Sequence, residues 1–164
     1  MTGRLVVVAG LPGVGKTTVS REIAERLDGR LVRTDVVRRD CFSDPQYTAA
    51  ERATVYEELF DRGREIVAQG DVAVLDGTFR KRTDRERAAA VADAEDVPLD
   101  VVAVECTEAV VRERIQKRED DESDADFEIH RRFRERYEPI EREHITIDNS
   151  GDLDSMQTQL DDVF

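Results

Sequence analysis

The chain has 164 residues, 39% hydrophobic and 5% aromatic, enough for one self-sufficient core and too little for two ordinary domains. Its 25 basic and 38 acidic residues leave a formal charge of −13, which argues against a broad cationic surface that grips nucleic acid without regard to sequence. No apolar run approaches the roughly 20 residues of a membrane-crossing helix, and two cysteines, Cys41 and Cys106, set no metal or disulfide framework.

The charge has a second aspect. Only three of the 25 basic residues are lysines (Lys16, Lys81 and Lys117); the rest are arginines. A high acid load with lysine suppressed fits a salt-rich, halophilic interior, where screening shrinks to a few ångströms and the charge reports the solvent more than the partner. Met1 to Arg4 runs straight into an apolar strand, so no leader segment is expected, and the sparse cysteines fit a reduced, cytoplasmic setting.

In chain order, short apolar runs alternate with amphipathic stretches, the pattern of a parallel sheet covered by helices. Leu5–Ala9 is the first strand, followed by a helix marked by Val19, Ile23 and Leu27. Leu31–Thr34 is the second. Thr48 with Glu51 forms a capping-box pair opening a long helix through Tyr56, Leu59, Phe60, Gly63, Ile66 and Val67 to a stop at Gly70. Val72–Leu75 is the third strand, and Thr83 with Glu86 opens a helix towards Asp96. Val101–Glu105 is the fourth, and Val111 and Ile115 mark a helix after Thr107. An acidic stretch at Glu119–Asp126 leads to a helix capped by Ser123 with Asp126 and carrying Ile129, Phe133, Tyr137 and Ile140. His144–Ile147 is the fifth strand, and residues 151–164 form a weak terminal helix. Residues 1–164 thus read as a single α/β domain with five strands.

The strongest chemistry lies between the first strand and helix. Gly10, Leu11, Pro12, Gly13, Val14, Gly15, Lys16 and Thr17 fit G-x-x-x-x-G-K-[ST] at every specified position. The glycines let the backbone turn tightly and present its N–H groups to phosphate oxygens, and the next helix aims its positive end at the same anion. Lys16 is placed to reach the outer phosphates. Thr17 offers a hydroxyl to Mg²⁺, and Thr18 lies near the α-phosphate.

Three further constellations bear on the reaction. Asp35 and Arg38 leave the second strand beside the phosphate loop, where a carboxylate can accept a proton from an attacking hydroxyl while the arginine holds a phosphate. They also fit a helix-capping aspartate and a surface arginine. Asp76 ends the third strand, where it can hold Mg²⁺ or its water, or simply make a turn. Arg114 and Arg118 share a helix face next to the acidic stretch, and together they read as a lid. The plain alternative is surface pairing with Glu113, Glu119 and Glu135, each pair worth about 0.2–0.5 kcal/mol. His130 and His144 carry no catalytic or metal role on this reading, and Cys106 is a packing residue.

Taken together, GLPGVGKTT (10–18), TDVVR (34–38), LDGTF (75–79), RIQKR (114–118), SDAD (123–126) and ITIDNS (145–150) make the chain resemble the small P-loop kinases of the AAA-domain and zeta-toxin-like ATP-binding group. These are related to the kinase domain of polynucleotide kinase, with gluconate, adenylylsulfate and nucleoside-monophosphate kinases further off. The resemblance implies a P-loop NTPase three-layer sandwich, strand order 2-3-1-4-5, with a short lid over residues 114–128. It also implies ATP and Mg²⁺ as ligands, held by Lys16 and Thr17. Asp35 would be the general base, Arg38 a substrate or phosphate contact, and Arg118, supported by Arg114, a lid contact. Asp148–Ser150 would border the adenine. Asp76 matches the strand-ending acid, with a looser match to metal holding.

The expected activity is transfer of the ATP γ-phosphoryl to an anionic or hydroxyl-bearing acceptor: a small molecule, a nucleotide or a nucleic-acid 5′-end. The second expectation is a nucleotide-binding regulatory module with only slow hydrolysis, in either case a monomer or homodimer. A switch GTPase is excluded by the lack of an Asn-Lys-x-Asp motif, which Thr146-Ile147-Asp148-Asn149 does not supply. Residues 36–62 and Phe79–Arg82 would build the acceptor pocket. Phe42, Tyr47 and Tyr56 there fit packing more readily than base stacking. Arg38, Arg39, Arg52, Arg80, Lys81 and Arg82 form a local basic set suited to an anion.

Overall fold

The computed structural model describes the backbone of residues 3–117 and 123–164, and the side chains of all of these but 123–126. Strands β1 (Arg4–Ala9), β2 (Arg30–Arg33), β3 (Val72–Gly77), β4 (Leu99–Glu105) and β5 (Ile145–Asp148) form one sheet. Every pairing is parallel and the order is β2-β3-β1-β4-β5, as the resemblance implies. Helices α1 (Lys16–Arg26), α2 (Thr34–Cys41), α3 (Ala49–Ala68), α4 (Arg82–Ala94), α5 (Glu108–Gln116), α6 (Ser123–Arg136) and α7 (Leu153–Asp161) complete the described chain.

Side-chain alternation along β1 explains its unbroken apolar run. Leu5, Val7 and Ala9 point into one core with Val55 and Leu59 of α3 and Val91 of α4. Val6 and Val8 point into a second core with Val19 and Ile23 of α1 and Met156 and Leu160 of α7. Leu5 to Ala9 have no exposed surface, which suits a central parallel strand buried on both faces. β1 sits between β3 and β4, so the chain's connections diverge on either side of it. The crevice at its carboxyl end is where open α/β sheets bind ligands.

Several boundaries differ from expectation. β2 stops at Arg33, and Thr34 opens α2 instead of ending the strand. α2 buries Val37 in the core beside α3, so its packing decides the turn. α4 begins at Arg82 after an N-cap, Lys81, that has no side-chain bond. The Thr83–Glu86 box is therefore absent, and Glu86 pairs instead with Arg82 at 3.0 Å. At α3, Thr48 Oγ1 does accept from the Glu51 amide at 3.1 Å. The Glu51 carboxylate is engaged elsewhere, by Arg38 and the Gln46 amide. The Ser123–Asp126 cap lies outside the described side chains.

Candidate active site

From the end of β1 the chain turns through Gly10–Gly15 and enters α1 at Lys16. Gly13 (φ 86°) and Gly15 (φ 84°) occupy the left-handed region, which costs a glycine almost nothing and most other residues about 1 kcal/mol or more. A Cβ on Gly15 would collide with Asn149 Nδ2. α1 has no side-chain cap and no acidic residue in its first turn. Its first N–H groups and the positive end of its dipole are left for an external anion.

Lys16, half-buried, bends its ammonium onto the Leu11 carbonyl at 3.1 Å. Burial pushes its pKa below the ordinary lysine value, with Arg33 adding to the effect and the Asp76 and Asp35 carboxylates opposing it. Asp76 is 4% exposed and sits in register between Val8 of β1 and Arg33 of β2. Its Oδ2 accepts from the Ser20 hydroxyl at 2.8 Å, and Arg33 Nε stands 4.0 Å away. Arg33 also reaches Asp35 at 3.5 Å. The Asp35 side chain is 74% exposed on the first turn of α2. Arg33 thus links the two carboxylates expected to do chemistry, a role that nothing in the sequence marks.

The hydroxyl of Thr17 and the second oxygen of Asp76 make no hydrogen bond among the described residues, and hard oxygen donors of this kind suit Mg²⁺. Among the described residues no group of three His, Cys, Asp or Glu side chains is placed to hold a metal alone. A cation at Thr17 and Asp76 would therefore share its coordination with phosphate oxygens and water.

The outer side of the phosphate loop is tied to two distant elements. Asn149, buried after β5, donates from Nδ2 to the Val14 carbonyl at 2.8 Å, and its own amide donates to Glu105 O at 2.7 Å. His130 of α6 lies with Nδ1 2.6 Å from the Pro12 carbonyl oxygen and has no exposed surface. From sequence it has no catalytic or metal role, and the structure buries it beside the loop. Arg114 donates to the Gly151 carbonyl at 3.1 Å and approaches Cys106 Sγ at 3.7 Å, next to Gly15. Arg118 lies outside the described residues. A cavity of about 390 Å³ opens over the ends of β1, β4 and β5, lined in part by Gly10, Leu11, Val14, Thr107, Asp148 and Ser150.

Across the crevice, the basic set is largely committed within the protein. Arg38 donates to Glu51 at 2.6 Å and lies over the exposed Tyr47 ring, with 4.7 Å from its guanidinium carbon to the ring centroid. Burial works to raise the Glu51 carboxyl, but bonds from Gln46 and Arg38 outweigh it and hold the group below the ordinary range. Arg52 is bonded to buried Asp84 and lies over Tyr56. Tyr56 is 3% exposed, and its hydroxyl accepts from the Phe79 amide at 3.0 Å, so it packs, as expected. Phe42 packs against the same core, whereas Tyr47 does not. Arg85, buried, donates to the carbonyls of Phe79, Arg80, Glu138 and Pro139 and so bolts the loop after β3 to the segment after α6.

A glycine-rich phosphate loop joining the central strand to a helix, on a five-stranded parallel sheet in this order, is the P-loop kinase fold. The chain belongs to the AAA domain family, whose model matches residues 5–140. It is 34% identical over 142 residues to an uncharacterized protein of Mycobacterium tuberculosis, a match covering 78% of this chain and 28% of that one. The chain thus spans little more than a quarter of that relative's length. It is 31% identical over 121 residues to a gluconokinase of Gluconobacter oxydans, covering 71% of this chain and 66% of that protein. Among solved structures, the APS kinase of Mycobacterium tuberculosis in complex with AMPPNP and APS superposes with a TM-score of 0.73. That likeness, at 15% identity over 98% of this chain and 96% of the other, is one of fold.

Proposed function

We propose that the chain is an ATP-dependent phosphotransferase that moves the γ-phosphoryl to a hydroxyl or phosphate acceptor held between α2, α3 and the loop at residues 78–81. The observation that carries this reading is the N-terminus of α1. It is uncapped and free of acids, it opens from a loop with two left-handed glycines, and its Lys16 faces the carboxylates of Asp76 and Asp35. The gluconokinase relative and the fold shared with an APS kinase solved with AMPPNP support it.

In this reading the loop amides and the α1 terminus receive the β- and γ-phosphates, and Lys16 exchanges the Leu11 carbonyl for a phosphate oxygen. Asp35 takes the proton of the acceptor hydroxyl as the new O–P bond forms and the bond from γ-phosphorus to the bridging oxygen breaks, leaving ADP. Mg²⁺ held near Thr17 and Asp76 would neutralise charge on the phosphates during transfer. Ser20 and Arg33 keep the Asp76 carboxylate oriented. Arg38, held by Glu51, presents its remaining N–H groups to the acceptor side, and Arg114 stands where the nucleotide passes Gly15.

The test is acceptor-dependent ADP release from Mg-ATP, at low and molar KCl, with a panel of sugar acids, nucleoside monophosphates and 5′-hydroxyl oligonucleotides. A sugar acid is the first acceptor to try, given the gluconokinase relative. We expect one acceptor class to stimulate turnover. Lys16→Ala should then lower kcat about 10²–10³-fold by removing charge stabilisation, and Asp35→Asn about 10³-fold by removing the base. Tight nucleotide binding with no stimulation by any acceptor would replace this reading with that of a binding module.

A further inference from the structure

His130 has no part in the chemistry above, yet it is among the most completely buried polar side chains described. Its ring stacks on Phe127, with centroids 6.0 Å apart and planes 12° from parallel. Nδ1 lies 2.6 Å from the Pro12 carbonyl oxygen, and Nε2 lies 3.0 Å from an Arg134 terminal nitrogen that also donates to the Cys106 carbonyl at 3.3 Å. A guanidinium can only donate, so Nε2 must be the bare, accepting nitrogen. The hydrogen is then on Nδ1, and His130 is the donor to Pro12. One neutral tautomer satisfies both contacts.

Pro12 sits in the middle of the phosphate loop and has no N–H of its own. A carbonyl at that place, free to swing inward, would set its negative end against a bound phosphate. We propose that His130 is a positioning residue for nucleotide binding. By donating to the Pro12 carbonyl and accepting from Arg134, it fastens α6 to the phosphate loop and holds that carbonyl turned away from the triphosphate. The inference rests on the phosphotransferase reading, because it presumes a triphosphate in the loop. His130 touches the loop and not the ligand.

The arrangement is sensitive to acid. Burial pushes the His130 pKa down against the pull of the Pro12 carbonyl; Arg134 of α6 and Lys16 of α1 add to the depression and Glu108 of α5 opposes it. Arg112 of α5 lies over the stacked Phe127 ring. A proton on Nε2 would face the Arg134 guanidinium with nothing to accept it. The unfolded chain binds that proton more readily than the folded one. The fastening is therefore intact near neutrality and weakens as pH falls below the ordinary histidine range of about 6.5.

The experiment uses the full chain with Mg-AMPPNP by calorimetry, comparing wild type, His130→Ala and His130→Gln near neutrality and at about pH 5. Amide hydrogen exchange over residues 10–15, without nucleotide, provides the structural readout. Glutamine keeps one donor and one acceptor and cannot titrate. We expect His130→Ala to bind about tenfold more weakly at neutrality, the size of one lost hydrogen bond, with faster loop exchange. Wild type should weaken several-fold in acid while His130→Gln does not. Unchanged binding and exchange in His130→Ala would overturn the proposal, as would an acid loss in His130→Gln that parallels wild type. If His130→Ala does not fold, the acid comparison between wild type and His130→Gln decides alone. If wild type binds no nucleotide, the phosphotransferase reading falls and this one with it. If wild type binds and the variants match it throughout, only the His130 assignment falls.

Discussion

The two loops that face each other across the crevice are held in opposite ways. The phosphate loop is tied from outside through carbonyls, Pro12 to His130 and Val14 to Asn149; Gly10 and Val14 give their N–H groups to the Thr78 and Leu11 carbonyls, while those of Gly13 and Gly15 make no hydrogen bond among the described residues. The loop after β3 is bonded through donors and acceptors alike. Tyr56 takes the Phe79 amide, Tyr137 donates to the Thr78 carbonyl at 2.6 Å, Arg85 takes the carbonyls of Phe79 and Arg80, and the Glu138 amide also donates to Arg80. Phe79 has no exposed surface and is held at φ 45°, a conformation that persists only where surroundings impose it. A loop built to receive an anion keeps donors free at its glycine turn. A loop with both kinds of group satisfied is a wall, and what it offers a ligand is side chains.

That contrast is breakable, and the largest effect should come from the wall. Arg85→Ala removes a buried guanidinium and takes away the donor to the Phe79, Glu138 and Pro139 carbonyls, while the Arg80 carbonyl keeps the Glu138 amide. We expect a loss of about 3 kcal/mol, read as a Tm lower by roughly 6–12 °C in a scanning melt. A change within error would show that the loop after β3 does not depend on this bolt. The phosphate side should respond differently. Asn149→Ala loses the bond to Val14 at a stability cost of about 1 kcal/mol, yet it should weaken nucleotide binding by about tenfold, measured by titration with Mg-AMPPNP. Unchanged nucleotide affinity in Asn149→Ala, or a comparable loss of affinity in Arg85→Ala, would erase the distinction between the two loops. The smallest effect is the control. Arg82→Ala breaks an exposed pair with Glu86 and should shift stability by less than about 0.5 kcal/mol in urea unfolding.

The parts legible from the chain alone are those whose partners are near in sequence. Gly10 to Thr17 announce a phosphate loop because tight turning, close approach and a following helix are all local demands. The Thr48 cap is of the same kind: its bond to the Glu51 amide spans three residues. Leu5–Ala9 reads as a doubly buried strand because both faces are apolar. Where the partner is remote, legibility ends. The Glu51 carboxylate fits a capping box in sequence but closes on Arg38, and Asp84 closes on Arg52 from another helix. Two arginines that look free to grip an acceptor are therefore already paired. Ser20, Arg33 and His130 carry no pattern that singles them out; their roles exist only because β2, β3 and α1 meet at Asp76 and α6 reaches the phosphate loop.

Composition and the order of residues thus determined the α/β class, the succession of strands and helices apart from α2, and the anion-binding turn, since each depends on period, burial or backbone freedom over a few neighbours. Folding in three dimensions decided which charges cancel, which carbonyls are drawn outward and which carboxylate stays exposed. Electrostatic and hydrogen-bonded contacts act over a few ångströms of space, and residues as far apart as Val14 and Asn149 reach that distance only when the sheet assembles them.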